Sequence, residues 1–147
     1  MAISDFNLIH PIRVRWSEID SQNIVFNGHY LTYFDIAITE YWRAIGVNYP
    51  DGFIQTHGCD LFAVKATVEY HGSARFDDVI QVCARALKIG RSSMTFQMAI
   101  YRDSGGAEPA HLTSGELIYV CANPDTKQSM PVPESMRLLV NQFEKIA

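Results

Sequence analysis

The run from His29 to Ile45 constrains this chain more than any other segment. Its polar residues Thr32, Asp35, Thr39, Glu40 and Arg43 recur at spacings of three and four, which places them on one stripe of a helix. Nearly everything else in the run is large and apolar: Tyr30, Leu31, Phe34, Ile36, Ile38, Tyr41, Trp42 and Ile45. A helix apolar around most of its circumference must be enclosed by other structure. Asn27-Gly28 suits its start, because Asn is a good N-cap, and Gly46 is a natural stop. The fold is therefore expected to carry this helix in its middle.

The remaining segments supply the enclosure. Ile9 to Trp16 reads as a first strand, with Ile12, Val14 and Trp16 on one side and Arg13 and Arg15 on the other. A polar turn, Ser17 to Asn23, and a short apolar run, Ile24-Val25-Phe26, lead to the helix. Val47 to Asp60, with Pro50-Asp51-Gly52 inside it, reads as a loop of the length that often forms a lid or pocket wall. The period then switches to two. Leu61 to His71, Val79 to Lys88, a strand marked by Met94, Phe96, Met98 and Ile100, and His111 to Cys121 alternate as strands, with Asp103-Ser104-Gly105-Gly106 as a turn. Short turns favour antiparallel neighbours. Pro133 opens a terminal amphipathic helix, Glu134 to Ile146. The expectation is α+β: an antiparallel five-stranded sheet curled round the long helix, in one domain spanning 1–147.

Charge and composition exclude several classes of function. Twelve Lys+Arg against sixteen Asp+Glu leave a net charge of −4 with no basic cluster, which speaks against nucleic-acid binding. An apolar content of 48% speaks against disorder. No segment approaches the roughly 20 apolar residues that span a bilayer, and no leader pattern precedes His10, so no membrane association is expected. The three cysteines, Cys59, Cys83 and Cys121, form no C-x-x-C pair, and a reducing cytoplasm is the simplest compartment for them.

The cofactor motifs are missing too. There is no G-x-G-x-x-G, Walker A loop, H-E-x-x-H or G-x-S-x-G. His10, His29, His57, His71 and His111 are scattered, so no metal site is expected. What remains is Asp20, in the turn ahead of the long helix; by itself an Asp there reads first as an Asx-turn or capping residue. Glu18 and His29 read as a solvated turn residue and a helix-start residue.

The stretch from Asp20 through Asn23, Val25, Phe26, Tyr30, Leu31, Tyr33, Phe34 and Asp35 to Ala37 resembles the signature of 4-hydroxybenzoyl-CoA thioesterase-like hotdog proteins. Ser73-Ala74-Arg75-Phe76-Asp77-Asp78 is similar to a second motif of that family, and the order of elements matches as well. Three positions depart from the pattern. Asn23 stands where Gly is usual, Asn27 where His or Pro is frequent, and His29 where Asn or Ser is frequent.

The resemblance implies a hotdog fold and hydrolysis of an acyl-CoA thioester, with coenzyme A as part of the substrate and no cofactor. Asp20 would act as general base or nucleophile. Asn27-Gly28-His29, at the first turn of the helix, would supply backbone N–H groups to the oxyanion. A thiol of pKa about 8.5 leaves without a strong general acid. The acyl pocket is expected between Tyr30 and Phe34 on the helix and Phe53 and His57 on the loop. Arg91-Ser92-Ser93 reads either as a phosphate contact for the nucleotide or as a hairpin turn with a solvated Arg. The resemblance also implies a homodimer paired through sheet edges, often doubled into a homotetramer. Two other readings stand beside hydrolysis: an acyl-thioester hydratase or dehydratase using His29, and a non-catalytic acyl-CoA binder.

Overall fold

The computed structural model describes residues 1–145. After a short 3-10 turn, β1 (Leu8–Arg13) leads through a second 3-10 turn, Trp16–Glu18, to α1 (His29–Ile45) and α2 (Asp51–His57). Then come β2 (Asp60–Tyr70), β3 (Val79–Ile89), β4 (Ser93–Arg102), β5 (Ala110–Ala122) and α3 (Glu134–Glu144). The five strands form one antiparallel sheet in the order β1-β3-β4-β5-β2. The meander β3-β4-β5 thus occupies the centre, and β1 and β2, first in sequence, become its two edges.

The sheet closes over α1. Tyr30, Tyr33, Phe34, Ala37, Ile38, Tyr41, Trp42 and Ile45 are buried on the helix, against Ile80, Val82 and Ala84 of β3, Met94, Phe96, Met98 and Ile100 of β4, and Leu117 of β5. The approach is closest at Gly115, where a Cβ would lie 2.6 Å from the Phe34 ring. The enclosure is not complete. Thr32, Asp35, Thr39 and Arg43 of the polar stripe stay exposed, together with Leu31. At the far end Gly46 takes a left-handed φ of 82° and donates its N–H to Arg43 C=O, ending the helix where its sequence says it should. The Tyr41 hydroxyl donates to Glu144 Oε2 (2.7 Å) and the Ala86 N–H donates to the same oxygen (2.6 Å), so one carboxylate ties α3 to α1 and β3.

Two expectations need correction. The first strand stops at Arg13: Val14 donates to Asp78 C=O, the chain turns, and Trp16 stands exposed with its ring edge-on to Phe76. The span Val47 to Asp60 is not all loop, because it holds the two-turn helix α2, too short to show a period. Among the residues of the terminal helix as expected, Ile146 lies outside the described residues. Cys59, Cys83 and Cys121 are free and buried, and burial pushes the Cys83 and Cys121 thiols up to about 12, so they serve as core hydrophobes. Among the described residues no helix is long and apolar enough to cross a membrane.

Candidate active site

The loop between β1 and α1 is anchored before it reaches Asp20. Glu18, read from sequence as a solvated turn residue, is only 6% exposed. Its Oε1 accepts the Arg15 N–H (2.7 Å), its Oε2 meets the Arg15 guanidinium (3.2 Å), and its carbonyl accepts the Phe26 N–H (3.0 Å). Burial raises the Glu18 carboxyl pKa, but the Arg15 N–H, the Tyr33 hydroxyl beside it and the Arg15 cation outweigh burial and hold it below the usual value. A bridge between Ile19 and Val25 and a left-handed Asn23 (φ 64°) then close a tight turn. Asn is the side-chain-bearing residue best suited to that backbone, so the turn survives without the usual Gly.

Asp20 sits in this turn and commits one of its two carboxylate oxygens to it. Its Oδ1 accepts the Gln22 N–H (2.8 Å), an Asx-turn, while its Oδ2 has no partner among the described residues. The capping role that sequence sets against a chemical role uses only one of the two oxygens. Asp20 lines a cleft of about 130 Å³ with Gln22, Asn27, Tyr30, Tyr70, Gly72 and Ser73. Neither the Asn27 nor the Gly28 N–H donates to an acceptor among the described residues, whereas the His29 N–H is taken by Phe26 C=O (3.0 Å). The oxyanion donors on offer are therefore Asn27 and Gly28. The His29 ring lies edge-on to Phe26 (centroids 5.6 Å apart) and lines no wall of this cleft.

A second, larger cleft of about 390 Å³ begins at Gly28 and runs along the open face of α1. Leu31, Thr32 and Asp35 form one wall, and Ala63, Ala66, Leu117 and Tyr119 form the other. Burial, with Asp35 adding to it, pushes the Tyr119 hydroxyl up to about 12, so it stays protonated at neutral pH. The groove continues past Asp35 and Tyr119 towards Thr39, Trp42 and Tyr49.

The expected acyl pocket is not formed as read. Phe34 is fully buried and Phe53 is 3% exposed, so both are core. Phe53 and His57 line a different cavity, of about 270 Å³, with Gly46, Val47 and Met136 at the C-terminal end of α1. Seventeen helical residues separate the two ends of α1, about 25 Å. Tyr30 alone of that set borders the Asp20 cleft, and its hydroxyl accepts the Ala74 N–H (2.9 Å). Arg91, Ser92 and Ser93 also lie far off. They form the β3–β4 turn, at the opposite end of an eleven-residue strand from Val79, about 35 Å away. The second motif is structural. Arg102 holds the Ser73 carbonyl and Asp78 Oδ2 (3.0 Å), and Ala74, wholly buried, accepts the Val25 N–H.

Tyr70 is the residue that sequence reading missed. It lies at the end of β2 and its hydroxyl donates to Asn27 C=O (2.9 Å), a contact across 43 positions that no local pattern encodes. Among the described residues no group of three or more His, Cys, Asp and Glu side chains could hold a metal ion.

Residues 22–108 match the family model described as the thioesterase superfamily. The chain belongs to the thioesterase superfamily. Its reaction class is accordingly thioester hydrolysis. An acyl-CoA thioester hydrolase, YbgC of Escherichia coli, is 25% identical over 126 residues, covering 86% of this chain and 90% of the relative. A solved structure of a 4-hydroxybenzoyl-CoA thioesterase variant complexed with 4-hydroxybenzoyl-CoA superposes with a TM-score of 0.83 at 18% identity, covering 90% of this chain and 96% of the other. A 1,4-dihydroxy-2-naphthoyl-CoA thioesterase from Synechocystis superposes with a TM-score of 0.81 at 14% identity, covering 90% and 94%. At those identities the superpositions speak for the fold, which is the hotdog fold shared across this superfamily.

Proposed function

We propose that this superfamily member hydrolyses acyl-CoA thioesters at the start of α1, with Asp20 as the reacting carboxylate. One observation carries the reading. The unpartnered Asp20 oxygen and the free Asn27 and Gly28 N–H groups border a helix start from which the apolar groove departs. A thioester carbonyl seated there points its oxygen at the two N–H groups, where the helix dipole adds to their pull. Its acyl group follows the groove past Leu31 and Ala66, and its sulfur faces outward.

Asp20 then takes the proton of a water that attacks the carbonyl carbon, or attacks that carbon itself to give an anhydride that water opens. Either way the tetrahedral oxyanion collapses by breaking the C–S bond. The thiolate leaves and collects a proton, and the acyl group departs as a free acid. No step calls for a metal or a resident cofactor. His29, turned onto Phe26, gives no support to a hydratase reading.

Thiol release from a panel of short aliphatic, long aliphatic and aromatic acyl-CoAs tests the proposal. Turnover of at least one class is expected, with the acyl product appearing as the acid. Tight acyl-CoA binding with no thiol released from any of them rejects it in favour of a binding protein.

The same reading includes pairing between two copies through β2. This edge strand has β5 on one side only, and Ala63 to Thr67 are exposed along it. Antiparallel pairing of two such edges sets the Asp60 end of one chain beside the Tyr70 end of the other. Ser93 pairs with Val120, which pairs with Phe62, so the β3–β4 turn lies at the Asp60 end. The partner's Arg91 is thereby carried towards the Asp20 cleft, where a nucleotide phosphate would emerge. Sedimentation equilibrium is expected to give a dimer or its tetramer. Replacing Ala66 by Pro, which cannot complete an edge ladder, should shift it towards monomer. An unshifted assembly would reject pairing through β2. The compartment that suits three free thiols is the reducing cytoplasm.

A further inference from the structure

We infer that Tyr70 is a positioning residue for the oxyanion donors: by donating its hydroxyl proton to Asn27 C=O, it aims and strengthens the Gly28 N–H. The inference rests on the thioesterase reading above. Asn27 C=O and Gly28 N–H belong to one planar peptide group and point in opposite directions, so fixing the oxygen fixes the line along which the N–H points. A hydrogen bond at the carbonyl also draws electron density from the amide nitrogen, which makes its N–H the stronger donor.

The local geometry leaves that job to Tyr70. Among the described residues the only other donor to Asn27 C=O is the Tyr30 N–H, at a long 3.4 Å, against 2.9 Å for the Tyr70 hydroxyl. The flanking Asn27-Gly28 segment is exposed, so packing does not hold this peptide. Within one chain Tyr70 is 51% exposed at the end of an edge strand, so burial inside the protomer does not account for it either. Its ring stands edge-on to Tyr30 (5.4 Å, 80°), whose own hydroxyl is fixed by the Ala74 N–H. The two tyrosines thus brace the helix start from β2 on one side and from the loop before β3 on the other. Both border the cleft that holds Asp20. Because the brace touches the peptide and not the substrate, its loss should lower turnover without weakening ground-state binding.

The test is Tyr70→Phe, which keeps the ring and its contact with Tyr30 and removes only the hydroxyl. Two readouts are taken on the full-length protein. The first is the Gly28 amide resonance in a nitrogen–proton correlation spectrum, which reports the bond at the preceding carbonyl whether or not the protein turns over. The second is steady-state hydrolysis of the best acyl-CoA from the panel, in variant and parent. The expected result is a displaced Gly28 resonance, kcat lower by about five- to tenfold and KM within about twofold. This is less than the loss of a whole oxyanion donor. A Gly28 resonance that stays put, or a kcat within twofold of the parent, overturns the inference. So does a loss carried by KM alone, which would make Tyr70 a substrate contact. If the parent releases no thiol, the thioesterase reading fails first and takes the catalytic role of the brace with it, even where the resonance moves.

Discussion

Asp20→Asn is expected to lower kcat by at least about a hundredfold, the lower range for losing a general base, while the protein melts where its parent does. The structure makes this substitution unusually clean. The Asx-turn uses one side-chain oxygen, which accepts the Gln22 N–H, and an asparagine keeps an oxygen there. The turn is also held independently of Asp20's side chain, by Glu18, by the Ile19–Val25 bridge and by the left-handed Asn23. Only the negative charge and the second oxygen are lost. Turnover and thermal melts on the same preparation separate the outcomes. Near-normal kcat would make Asp20 a turn residue and nothing more. Lost activity with a collapsed midpoint would mean that the charge itself holds the loop.

Trp42→Ala is expected to do the reverse. The indole is 3% exposed, edge-on to both Tyr41 and Phe96, and it sits in the last turn of α1, where its carbonyl accepts the Val47 N–H. Emptying a large aromatic site of this kind costs about 3–5 kcal/mol, a fall in melting midpoint on the order of 10 °C for a chain of this length. Yet Trp42 lies fourteen positions along the helix from Gly28, about 21 Å. Molecules that remain folded should therefore keep kcat within a few-fold. Denaturant titration gives the first quantity and turnover well below the midpoint gives the second. An unchanged midpoint would mean that the site collapses around the missing ring. A large loss of kcat in folded protein would mean that the helix moves as a rod and carries its N-terminus with it.

What could be read from sequence divides along physical lines. The bounds of α1 are legible because seventeen residues show the helical period and Gly46 marks the end; the cap expected of Asn27 is not made, since Gly28 takes the cap position and no side chain caps the first turn. β3, β4 and β5 alternate clearly because one face of each meets the helix. β2 alternates in sequence but is exposed on both faces through its middle, where it is an edge strand and a bulge between Ala63 and Lys65 breaks the register. Asp20 stands out in the sequence only through the family motif, and Asn27 only as a departure from it. Phe53 and His57 were misplaced because nothing local tells where a connecting segment lands, and α2 packs at the C-terminal end of α1 rather than its start. Glu18 and Tyr70 were illegible for a related reason. Their roles depend on Phe26, Tyr33 and Asn27, which come near only after the chain has folded back.

The order of strands across the sheet has a consequence for how the protein comes into being. β1, the Asp20 turn, α1 and β2 leave the ribosome first, but among the described residues of one chain β1 pairs with β3 and β2 pairs with β5. Loops closed over such separations form slowly, since their entropy cost precedes any contact that offsets it. Until β3 and β4 arrive, the most apolar helix of the chain has no sheet to cover it, and until β5 arrives Tyr70 has no strand to hold it over Asn27. The parts of the site that are made earliest are thus assembled last. A nascent chain stalled before Val79 would expose the face of α1 that carries Phe34 and Trp42, the kind of surface on which chaperones and aggregation compete.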